Sequence, residues 1–130
     1  MNFKDIKALG GLTEAAFLAA QAKLAKLSRQ ESAVRDQLRG LQNDRNALAR
    51  TARAADDAAL AGGADVRWFQ WIATRQTRLN AELAQILAMK AHQLEMVRKA
   101  HGRQEALSKL ALTLRAEQHR CAARRKDFEN

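Results

Sequence analysis

The chain has no proline and no tyrosine, a single cysteine, and only six aromatic residues among 130. Each shortage excludes something. Without proline, no residue breaks a helix by withholding its backbone N–H. β-branched and aromatic residues, which strands favour, are scarce, so a sheet-based fold is excluded. The lone Cys121 rules out an internal disulfide and fits a reducing cytoplasm. Long apolar runs are missing too. The longest uncharged stretch is the eight residues from Ala15 to Ala22, against roughly 20 needed to cross a bilayer. No membrane insertion is expected. Lys4, Asp5 and Lys7 lead into no apolar segment with a cleavage site, so no secretory signal is expected either.

What is present is helix-forming. Alanine alone supplies 28 residues, and leucine, lysine, arginine, glutamate and glutamine supply much of the rest, the side chains that lose least on entering a helix. The fold class is all-α, and the length allows one domain, residues 1–130. Steps of three and four from Phe3 trace one apolar seam through Ile6, Phe17, Leu24, Leu27, Val34, Leu38, Leu41 and Leu48 towards Ala59. A second runs from Phe69 through Ile72, Leu79, Leu83, Ile86, Val97, Leu107 and Leu114, past Cys121, to Phe128. Sustained heptads of this kind predict a long antiparallel two-helix coiled-coil hairpin.

The glycine pair in Ala61-Gly62-Gly63-Ala64-Asp65 is the strongest turn signal, with Asp65 as N-cap of the second helix. Helix 1 is therefore expected over about 3–60, the turn over 61–65 and helix 2 over about 66–128. Gly10-Gly11 is expected to fray helix 1, and Gly40 and Gly102 to soften the arms. Folding about residues 63–64 pairs position i with 127 − i. That register sets Leu38 and Leu41 against Ile86, Leu87 and Met89, Leu48 against Leu79, and the seam charge Arg45 beside Glu82.

The net charge is +9, which calls for a polyanion, an acidic protein surface or an anionic membrane as partner. Residues 1–30 hold +3 and residues 91–130 hold +4, so the hairpin's open end is expected to be strongly basic. Basic residues are spread over most heptad positions rather than in one stripe, which counts against nucleic acid as the main partner. Only Arg120, Arg124, Arg125 and Lys126 form a dense cluster. Against this background "RWFQW" stands out: Trp68, Phe69 and Trp71 gather half of the aromatics in four positions. Phe69 and Ile72 belong to the seam, while Trp71 lies about 130° from its centre at 100° per residue. One alanine-rich neighbouring helix cannot cover so wide an arc. The tryptophans either clamp the hairpin end or form a docking patch, with Arg75 and Arg78 as polar grips, tryptophan and arginine being enriched at binding hot spots.

Catalytic chemistry is not in view. A two-helix hairpin offers no concave pocket. His92, His101 and His119 have no i, i+4 ligand spacing, and no phosphate-binding glycine loop occurs. No enzyme, metal or cofactor is expected.

An Arg-Trp pair opening the second helix, in "RWFQW" (Arg67, Trp68, Trp71), and the basic terminal turn "RRKDFE" (Arg124 to Glu129) make the chain resemble the FliJ/YscO family. These are central stalk proteins of flagellar and injectisome type III export ATPases. The resemblance implies a cytoplasmic, non-enzymatic stalk, peripheral to the inner-membrane export apparatus. Its open end would enter a hexameric export ATPase through Lys4, Lys7, Arg120, Arg124, Arg125 and Lys126. Its bend would contact the large export-gate membrane protein through Trp68, Trp71, Arg75 and Arg78, with export chaperones as further partners. Two other readings are a nucleic-acid-associated basic coiled coil, whose affinity would fall steeply with salt, and a chaperone-like hairpin holding unfolded clients.

Overall fold

The computed structural model describes residues 2–54 and 58–130, with side chains described for residues 2–51, 53 and 66–130. The chain is an all-α helical hairpin. Helix α1 spans Phe3–Ala54 and α2 spans Ala58–Glu129. Both helices contribute to two compact units. The terminal unit joins Met1–Leu24 to His92–Asn130, and the central unit is Ala25–Ala91.

α1 starts from a reciprocal cap. Asp5 N–H donates to Asn2 Oδ1 at 2.9 Å, and Asn2 N–H reaches back to Asp5 Oδ2 at 3.5 Å. These bonds serve backbone donors that a helix start leaves without partners. The expected fraying at Gly10-Gly11 does not occur: α1 runs through both glycines. The cap, the buried Ile6 and the Arg115 guanidinium 5.3 Å from the Phe3 ring centre hold the first turns in place. A methyl group on Gly10 would meet Leu107 Cδ2 at an ordinary 3.6 Å, and on Gly11, Gly40 or Gly102 it would meet nothing. Close packing therefore does not require these glycines.

The expected turn at residues 61–65 is also overturned. α2 begins at Ala58 and continues through Gly62, Gly63 and Asp65, so Asp65 is not its N-cap. Two glycines cost about 2 kcal/mol relative to alanine, a small penalty within a helix of 72 residues. Asp56 and Asp57 precede Ala58 in sequence and are of the residue type favoured at a helix start. The structural side of that preference falls on residues outside the described ones.

Moving the start of α2 moves the register. Phe3 meets Arg115, Phe17 meets His101, and Gln42 meets Gln76. The numbers in each pair add to 118, against the expected 127. Leu38 and Leu41 do share a cluster with Ile86, together with Val34, Ile72, Leu79 and Leu83. Leu87 and Met89 are exposed instead of facing them. Leu48 is not part of the cluster that holds Leu79. Among the described residues no ion pair joins Arg45 to Glu82, and both are exposed.

The seams themselves are as read. From Phe3 to Leu48 every seam position of α1 is buried or half-buried except Arg45, and from Phe69 to Leu114 every seam position of α2 is too. Four polar seam residues, Glu31, Gln76, Lys90 and Gln93, find partners across the interface, as buried polar groups must. In the terminal unit Gln93, only 6% exposed, donates through Nε2 to the Ala20 carbonyl at 3.1 Å. In the central unit Lys90 Nζ lies 2.9 Å from Glu31 Oε1, and Arg35 Nε lies 2.9 Å from Glu31 Oε2.

These two cations hold the Glu31 carboxyl below the ordinary glutamate range, chiefly through the Lys90 hydrogen bond and then through Arg35. A carboxylate whose pKa is depressed by folding adds stability at neutral pH. That contribution disappears as the pH falls through the lowered value. Glu31→Gln is accordingly expected to destabilise the chain at pH 7, with the difference from the unsubstituted chain closing on acidification. Urea midpoints measured at several pH values check this; a difference that stays constant or widens towards low pH would contradict it.

Candidate docking surfaces

In the central unit the aromatic group divides as the 3.6-residue period requires. Phe69 and Ile72 turn into the seam, half-buried and 0% exposed respectively. Trp68 and Trp71, one turn apart on α2, face outward. They stack on each other with ring centres 5.1 Å apart and planes at 18°. Stacking makes one continuous aromatic slab of two side chains, yet Trp68 stays 42% exposed and Trp71 51%. In the observed register Trp71 lies level with about Ala47 and Trp68 with about Arg50. A methyl and a flexible cation leave the slab open. Arg75 and Arg78 are exposed further along α2 and form no ion pair among the described residues. The indoles are thus fixed by each other and open to solvent, with cations nearby on the same helix.

In the terminal unit the changed register has a larger consequence. Arg115 lies level with the start of α1, Phe3 shares a groove with Gln118, His119 and Ala122, and residues 123–129 of α2 run on beyond it. From Gln118 onward every residue is exposed. The sequence placed Gln118, Cys121, Arg125 and Phe128 in the seam, with Cys121 as a small packed group. That expectation is corrected: Cys121 is exposed, and Phe128 is 92% exposed. Arg120, Arg124, Arg125 and Lys126 all lie on the exposed end of α2, while Lys4 and Lys7 are exposed on the first turns of α1. The six cations belong to one unit, but the Arg124–Lys126 group stands roughly 14–17 Å of helix beyond the level of Arg115.

The terminal unit also contains an open groove of about 510 Å³ along Gly10-Gly11, floored by Ile6 and Leu107 and edged by Phe3, Lys7 and Arg115. This departs from the expectation of no concavity. Its walls carry Glu14 and Arg115 as separated charges, with no cysteine or histidine. Among the described residues no cluster of His, Cys, Asp and Glu is arranged to hold a metal ion. His101 lies against the Phe17 ring and 3.3 Å from Glu105, a surface arrangement. No described helix is long and apolar enough to cross a membrane.

The sequence reading missed the Trp68–Trp71 stack, although an i, i+3 spacing of two indoles signals it. It also missed the overhang, which depends on register. Comparison of the chain with family models, curated proteins and solved structures finds no match. The class reached is therefore structural: a helical hairpin with an aromatic slab on one unit and an exposed basic helix end on the other.

Proposed function

We propose that the chain is a non-enzymatic stalk or adaptor of a type III protein export apparatus. It works in the cytoplasm, at the inner-membrane export machinery. The terminal unit enters a hexameric export ATPase, and the central unit contacts the large export-gate membrane protein. The stacked, half-exposed indoles carry this reading. A hairpin needing only to stay closed would gain several kcal/mol by burying them, so their exposure favours a partner that covers them. The exposed basic end of α2 adds support, because a cationic helix surface suits contact with an acidic ring. Charge complementarity of that kind raises the association rate and fixes orientation.

The test is capture of the cognate hexameric ATPase and stimulation of its hydrolysis by the purified chain. Arg124→Glu with Arg125→Glu is expected to slow association by about tenfold or more at low salt, leaving the helical content unchanged because both residues are exposed. Absence of capture and stimulation would overturn the reading. Strong DNA binding with a steep log–log salt slope would favour the nucleic-acid alternative.

A further inference from the structure

α1 carries a second apolar stripe that the hairpin does not use. Leu9, Leu12, Ala16 and Ala19 follow one another at steps of three and four. At 100° per residue they fall within about 80° of arc, centred roughly 100° round the helix from the seam. All four are exposed, Leu12 by 68%. Asp5 and Lys23 continue the same line at its two ends, and both are exposed as well. Among the described residues Lys23 forms no ion pair. The stripe lies wholly in the terminal unit.

Its order is self-complementary. Set against an antiparallel copy so that paired numbers add to 28, Leu9 faces Ala19, Leu12 faces Ala16, and Asp5 faces Lys23, each twice. A large side chain meets a small one at every apolar position, which lets two helices interdigitate closely. A carboxylate meets an ammonium at each end. A parallel copy would set Asp5 on Asp5 and Lys23 on Lys23, so the charges select the antiparallel arrangement. Reciprocal pairing, where residue i meets j and j meets i, is what a two-fold interface demands.

We infer that the Leu9–Leu12–Ala16–Ala19 face of α1 binds a second copy of this chain, as an antiparallel two-fold dimer closed by Asp5–Lys23 pairs. This goes beyond the proposed export role and does not rest on it: a chain paired through this face of its terminal unit is held out of the ATPase ring, so the dimer is the unassembled form.

Sedimentation equilibrium of the full chain tests it. The expected mass at tens of micromolar is twice that of one chain. Leu12→Glu is expected to weaken association by about a hundredfold, since two leucines are lost from the centre of the interface. The monomer keeps its helical content because Leu12 is exposed. Asp5→Lys and Lys23→Glu each bring like charges together twice and are expected to weaken the dimer by about tenfold at low salt. Mixing those two variants restores both opposite-charge pairs and should return the association of the unsubstituted chain. A chain that stays monomeric at every concentration overturns the inference. So does a dimer indifferent to Leu12→Glu, or single charge variants that fail to rescue one another. If the isolated chain is monomeric and Leu12→Glu abolishes capture of the export ATPase, the stripe belongs to a heterologous partner.

Discussion

Replacing Ile72 by alanine lowers the unfolding free energy by about 2–5 kcal/mol, the range for deleting a buried branched side chain and leaving a cavity. Among the described residues of the central unit Ile72 is the most enclosed, 0% exposed, and Leu79 at 2% is next. The cluster it joins contains only Val34, Leu41, Leu79 and Ile86 as buried members, with Leu38 and Leu83 at its edge. Two helices have no third layer that could close over a vacated site. Whole domains are stable by only about 5–15 kcal/mol, so this one change removes a large share. Thermal unfolding followed by circular dichroism should show the midpoint falling by several degrees per kcal/mol lost. Leu87→Ala, at an exposed position one residue from the cluster member Ile86, is the matched control and should cost under about 1 kcal/mol. Equal losses at the two sites would mean that the seam is not where the packing energy lies.

The positions that face inward were legible because heptad periodicity is local information. Ile6, Leu27, Val34, Leu41, Ile72, Leu79, Ile86 and Ala100 are buried, and each lies on a seam that can be drawn by counting threes and fours. Register is different, because it depends on where the chain reverses. Gly62-Gly63 is a strong signal in isolation, but the cost of a glycine in a helix is small and fixed, whereas a long seam gathers favourable contacts along its whole length. The helix therefore continues through the pair. A better register signal lay in the seams' own polar residues. Glu31 and Lys90 are opposite charges at seam positions, and aligning them gives 121, close to the observed 118 and away from 127. Arg45 with Glu82 misled because Glu82 lies off the seam. The overhang of α2, with Cys121 and Phe128 bare, follows from the same displacement. The aromatic patch was legible as a concentration of bulk; its stacking and openness depended on which α1 residues stand opposite.

Trp71→Ala is expected to remove most of the affinity for the proposed export-gate partner and little of the fold. Half of the Trp71 surface already faces solvent, so truncation forfeits mainly its stack on Trp68, a pair interaction of about 0.5–1.5 kcal/mol. At a protein interface a tryptophan anchor costs about 2–4 kcal/mol when truncated, roughly thirty-fold to a thousand-fold in dissociation constant. The two numbers separate the roles. An indole that only clamps the hairpin would show the smaller loss, in stability alone. An indole that docks would show the larger one, in binding, with capture of the ATPase by the terminal unit unchanged. The absence of tyrosine helps the measurement, because Trp68 and Trp71 are the chain's only tryptophans, so indole emission reports this patch and nothing else. Partially exposed rings should emit towards the red in the free chain and shift to the blue as the partner covers them. The emission change should be lost in Trp71→Ala and kept in Arg124→Glu with Arg125→Glu. Emission that ignores the gate partner, or a Trp71→Ala chain that still binds it at the original affinity, would remove the docking role and leave the slab as a surface stack of the hairpin.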